Sequence, residues 1–91
     1  MILNEIAGAI QVSTESALSK KEIFLHTLRL EWRVRDEACE DVYWLIALVN
    51  IPFYRVYPMI KDEFKKVADK YKLDPAVLYW SYLLWSSQEH W

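Results

Sequence analysis

One glycine and three prolines must serve every turn in this chain of 91 residues. Sandwiches and barrels reverse direction about every ten residues, and tight reversals rely on glycine because it takes positive φ without steric cost. A chain this poor in turn formers is restricted to a few long elements with short links, which means helices. At this length the helices form one domain, residues 1–91. Hydrophobic residues make up 54% and charged residues 26%, the balance of a folded chain rather than a disordered one.

Five Trp, six Tyr and three Phe compete for the interior of a domain that, at this size, buries only about two-thirds of its unfolded surface. Part of this aromatic load is expected to stay outside, as a face for a partner or a second copy. The densest stretch is 42–57, VYWLIALVNIPFYRVY, with Arg55 as its one charge. The rest of the chain is expected to pack on it.

Charge removes several classes. A net charge of −2 and a pI near 5.6 leave no basic field to attract nucleic acid or an anionic membrane, so neither is an expected partner. Cys39 stands alone. It can form no intrachain disulfide and no cysteine metal cluster, and a lone thiol fits a reducing cytoplasm. The start, MILNEIAGAI, lacks the positive segment of a secretory leader. The uncharged run 42–54 is shorter than the roughly 20 apolar residues of a bilayer span. A cytoplasmic protein without a membrane span is expected.

Periodicity predicts an all-α bundle of four to five helices, at about 2–12, 19–35, 37–50, 59–71 and 75–88. In the first, Ile2, Leu3, Ile6, Ala7 and Ile10 share a face, and the polar run 13–16 is expected to turn. Ser19-Lys20-Lys21-Glu22 has the form of a capping box, with Leu18 and Ile23 placed for a hydrophobic staple. The buried stripe behind it is expected to be Phe24, Leu25, Leu28 and Trp32. Residues 28–35 alternate apolar and charged, which also fits a half-buried strand, while a heptad seam from Leu25 to Val49 fits one helix over 19–50. Arg33 and Arg35 followed by Asp36, Glu37, Glu40 and Asp41 favour instead a break near 35/36, with Asp36 as N-cap.

Asn50 and Ile51-Pro52 are expected to stop the third helix, 53–57 to form an aromatic connector, and Pro58 to open the fourth. That fourth helix is the most clearly two-faced, with Ile60, Phe64, Val67, Ala68 and Tyr71 on one side and charge on the other. Leu73-Asp74-Pro75 then restarts a helix, with Asp74 as N-cap and Pro75 as its first residue.

Residues 59–88 superficially fit a helix-turn-helix, and a nucleic-acid-binding regulator is the alternative function. A groove reader should place Arg, Lys, Asn or Gln early in its second helix, where this chain has Pro75, Ala76, Val77, Tyr79 and Trp80. A buried helical hairpin fits better. Catalysis has little to draw on: His26 and His90 are far apart in sequence, and no metal, nucleophile-elbow or phosphate-loop motif is present. No enzyme, metal or cofactor is expected. The carboxylate pairs Asp36/Glu40 and Glu37/Asp41 could share a cation, but a solvated helix start accounts for them more simply. The positive case rests on Trp44, Phe53, Tyr57, Tyr79, Trp80, Tyr82, Trp85 and Trp91, large side chains with few rotors, of the kind that anchors interfaces. Part of this set is expected to close the core and part to bind a protein partner, with a homodimer favoured.

Over 24–58 the chain resembles a family of small phage proteins regarded as tail assembly chaperones. The similar features are Phe24 and Leu28 leading to Trp32-Arg33-Val34, an acidic link, then Val42-Tyr43, Leu45, Leu48 and Ile51-Pro52. The stretch 35–41 stands where the family has a Gly-rich link and a Leu-Asp-Tyr. The resemblance implies a non-catalytic helper that binds an extended, tape-measure-like partner.

Overall fold

In a computed structural model the chain folds into five α-helices: α1 (Leu3–Glu15), α2 (Lys20–Arg29), α3 (Trp32–Ile46), α4 (Phe53–Lys70) and α5 (Pro75–Glu89). Residues 3–47 and 51–89 are described, with side chains from 8 to 47 and from 51 to 87, and no strand occurs among them. The fold is all-α, and its centre is α5 rather than 42–57. α5 packs against each of the other four helices, and Ala76, Val77, Leu78, Tyr79, Ser81, Tyr82, Leu83 and Trp85 are buried along it. A helix that is apolar nearly all round has no wet face to offer, so it is stable only where every side is covered.

The helix boundaries depart from the sequence expectation in three places. α1 runs through Ser13, Thr14 and Glu15 instead of turning there. Ser13 Oγ donates to the Ala9 carbonyl at 2.9 Å and Thr14 Oγ1 to the Gln11 carbonyl at 2.8 Å, so the hydroxyls bond back within the helix.

The second departure is the α2–α3 joint. The capping box forms as expected: Glu22 N–H donates to Ser19 Oγ, and Ser19 N–H donates to the Glu22 carboxylate, each at 3.2 Å. The break, however, lies at Leu30 and Glu31, both extended, five residues before the expected 35/36. The alternating stretch 28–35 is thus neither a strand nor continuous helix. Arg35 explains the choice. It sits in the first turns of α3, and its Nη2 donates to the Thr27 carbonyl in the last turn of α2. A cation and a donor are supplied where a helix end carries negative partial charge and orphan carbonyls. Asp36 is not an N-cap; it lies inside α3, where its Oδ1 accepts from Trp85 Nε1–H at 3.0 Å and ties α3 to α5.

The third departure is α4, which begins at Phe53, so 53–57 is helix and not a connector. Pro52 occupies the cap, and its carbonyl accepts from Arg55 and Val56 N–H at 3.0 and 3.1 Å. Pro58 therefore lies inside the helix rather than at its start. The loss of one backbone bond there is offset by packing: Phe53, Val56, Tyr57, Phe64 and Ala68 form one buried stripe. α3 closes at Ile46, and the expected stop at Asn50 lies outside the described residues.

The α4–α5 turn is a complete Schellman motif. Leu73 N–H donates to the Ala68 carbonyl at 2.8 Å and Lys72 N–H to the Asp69 carbonyl at 3.1 Å. Lys72 takes the left-handed position, with φ of 56°, where glycine is usual. Asp74 then caps α5 as expected: its Oδ1 accepts from Ala76 N–H at 2.8 Å, and its Oδ2 accepts from Ser16 Oγ at 2.9 Å. One carboxylate thereby starts α5 and holds the α1–α2 link against it. On the far side, Asp41 of α3 accepts from Lys70 Nζ at 3.0 Å and Tyr71 Oη at 2.8 Å, joining α3 to the end of α4.

Candidate functional site

Of the eight aromatic residues expected to divide between core and contact face, five are core. Phe53, Tyr57, Tyr79, Tyr82 and Trp85 are all buried and form a continuous ring array. The Phe53 centroid lies 4.8 Å from Tyr79 and 4.7 Å from Tyr82, Tyr57 lies 5.2 Å from both Phe64 and Tyr79, and Tyr82 lies 5.9 Å from Trp85. Helices α4 and α5 converge here, which is why aromatic residues from separate parts of the sequence meet. Trp80 is half-buried, and its Nε1–H points to Ser13 Oγ at 3.4 Å. Trp44 is 68% exposed on α3. Trp91 lies outside the described residues.

The apolar surface lies largely elsewhere, on residues the periodicity placed inside. Phe24 is 63% exposed and Leu28 58% on α2, and Trp32 64% at the start of α3; of the expected stripe only Leu25 is partly buried, and the other three face outward. Ile23 and Thr27 face inward instead. The signal was present. A staple between Leu18 and Ile23 turns Ile23 toward the core, and Phe24 and Leu28 then follow about 100° further round the helix. Leu18 does pack on the core with Ile23.

Phe24 forms one wall of an apolar groove of about 270 Å³ between α1, α2 and α5. Ile10 and Ser13 of α1, Lys20 and Ile23 of α2 and Trp80 of α5 complete its lining. Ile10 and Leu84, also exposed, extend the apolar character on α1 and α5. A second, shallower concavity surrounds Trp44, between α3 and α4, with Asp41, Leu45, Lys66, Val67 and Lys70. The Trp44 ring stands edge-on to Tyr43, 5.6 Å between centroids.

The polar clefts offer less. One of about 210 Å³ is lined by Glu15, Ser16, Tyr57, Lys61, Lys65 and Asp74 among others. Its charged groups are already engaged in part, Lys61 with Glu15 at 2.9 Å and Asp74 with Ser16. Burial, with a smaller push from Glu15, raises the Tyr57 phenol to about 12, so at neutral pH it is a donor and not a base. Cys39 is fully buried and its thiol is pushed to about 12, chiefly by burial, although Arg35 opposes the shift. It is no nucleophile in this state. Of the acidic pairs on α3, Asp36 and Asp41 hold Trp85, Lys70 and Tyr71, and among the described residues no three His, Cys, Asp or Glu converge as a metal site. The early part of α5, which a groove reader would need outside, is buried from Ala76 to Tyr79. No described helix is long and apolar enough to cross a membrane.

Comparison of the chain with protein-family models, with curated proteins and with solved structures finds no match.

Proposed function

We propose that the chain is a non-catalytic helical module that binds another protein through the apolar surface built by α1, α2 and α5. The observation that carries this reading is the outward face of α2. Phe24 and Leu28 are both more than half exposed beside a groove floored by Ile23 and Trp80. Burying such side chains is worth about 1.5–3 kcal/mol each. A chain that leaves them outside while filling its core with Phe53, Tyr57, Phe64 and Tyr79 gains that free energy only when something covers them. The fitting occupant is an amphipathic segment with apolar side chains for the groove and an acidic group for Lys20 at its edge.

The resemblance over 24–58 points the same way, toward a phage or mobile-element assembly helper. Phe24, Leu28 and Trp32, which carry much of that resemblance, are surface residues, as contact residues must be. The lone, buried Cys39 suits the cytoplasm, where such helpers work. The test compares the tagged protein with a Phe24→Glu/Leu28→Glu variant in lysate of the cells that carry it, after circular dichroism has shown both folded. A defined protein should be retained by the first and lost by the second. Equal retention by both would overturn the reading.

A further inference from the structure

We infer that one occupant of the α1/α2/α5 groove is a second copy of this chain, presenting the exposed face of α3 that carries Trp44. This rests on the reading of the groove as a contact surface and names its partner. The two surfaces match in charge. Lys20 and Lys21 sit exposed at the start of α2, and Lys20 lines the groove. Glu37 and Glu40 sit exposed on α3, on the same face as Trp44 because they precede it by seven and four residues. The ion pairs among the described residues are Lys61–Glu15 and Lys70–Asp41, so none of these four charges is paired among those residues.

The surfaces also match in register. Phe24 follows Lys20 by four residues, as Trp44 follows Glu40, and four residues of helix rise about 6 Å. With the partner's α3 laid parallel to α2, Trp44 reaches the Phe24 and Trp80 end of the groove as Glu40 reaches Lys20. The groove is apolar with a cationic edge; the Trp44 face is aromatic, with Glu37 and Glu40 along α3 and Lys66 and Lys70 confined to its α4 side. The contact joins two different surfaces, so each copy has one of each to give. A contact between unlike surfaces leaves one of each free at the ends of a pair, so association can continue head to tail or close into a ring.

The test uses two charge reversals, Lys20→Glu/Lys21→Glu and Glu37→Lys/Glu40→Lys, at exposed positions where the fold should persist; circular dichroism and melting check this. Light scattering and sedimentation across micromolar to millimolar concentration then follow mass. The wild-type chain should self-associate, each variant alone should weaken by about tenfold or more, and an equimolar mixture should recover association because the reversed charges are complementary. A monomeric wild type, variants that associate as well as the wild type, or a mixture no stronger than its parts would overturn the inference. A monomeric wild type whose Phe24→Glu/Leu28→Glu variant still loses a host protein would overturn self-association while leaving the partner-binding reading intact.

Discussion

Gly8→Ala sets helix propensity against packing, and the structure decides the sign. Gly8, the one glycine of the chain, lies inside α1, where replacing Gly by Ala should stabilise by about 0.5–1 kcal/mol from backbone entropy alone. A methyl group built there falls well inside the van der Waals radius of Tyr79 Oη, and also meets Tyr79 Cζ at 3.4 Å and Tyr54 Cβ at 3.3 Å. Tyr79 cannot swing aside. It is fully buried, with Phe53, Tyr57 and Phe64 rings 4.8, 5.2 and 6.2 Å from its own. Overpacking of this kind costs about 1–3 kcal/mol, so the expected net effect is a loss of about 1 kcal/mol, the difference of these ranges. For a domain of this size that lowers Tm by about 4–8 °C. Thermal melting followed by circular dichroism measures it. The mechanism predicts coupling as well: with Tyr79→Phe in the background the oxygen is gone, and Gly8→Ala should be markedly less harmful there. A stabilising Gly8→Ala, or an equal effect in both backgrounds, would refute the close approach of α1 to α5.

Lys72→Gly should stabilise by about 0.5–1 kcal/mol, because Lys72 carries the left-handed turn at φ 56° and glycine removes a side-chain penalty larger than its entropy cost; chemical denaturation reads this as a higher midpoint at unchanged slope. Ser81→Ala should raise Tm, since Ser81 Oγ is fully buried and makes no hydrogen bond among the described residues, and leaving a hydroxyl so costs about 1–3 kcal/mol. Alkaline stability should fall between pH 10 and 12. The Tyr57 phenol is raised to about 12 in the folded chain, so across that window the unfolded state releases its proton first and unfolding gains. Tyr57→Phe should flatten this limb of the stability profile, and an unchanged slope would contradict the burial of that hydroxyl.

Where local chemistry decides the structure, it was legible in the sequence. The Ser19 capping box, the Asp74 cap and the two-faced pattern of 60–71 need only neighbouring residues, and they appear where expected. The start of α4 departs from expectation because Pro58 reads in sequence as a helix opener. The stripe of Ile60 and Phe64 in fact continues backward through Tyr57, Val56 and Phe53 at the same period, which outweighs one missing N–H. The α2–α3 break lies earlier than charge order suggests because Arg35 acts on a carbonyl eight residues back in sequence, a contact that charge order alone cannot show. The candidate surface was legible as a surplus, too many aromatics for so small an interior, but not as an address. Which rings stay inside depends on how α5 is surrounded, and α5 sets that only once all five helices are placed.

The Arg35 contact makes two elements into one. α2 has ten residues, below the about 12–15 at which a helix holds in isolation, and its exit is fastened by a side chain that is correctly aimed only after the next helix has wound its first turns. Neither segment can be ordered early while the other waits. Amide exchange along 20–29 should keep pace with that of 32–36, and any cell factor that pulls this corner open releases the Phe24 groove wall in the same motion.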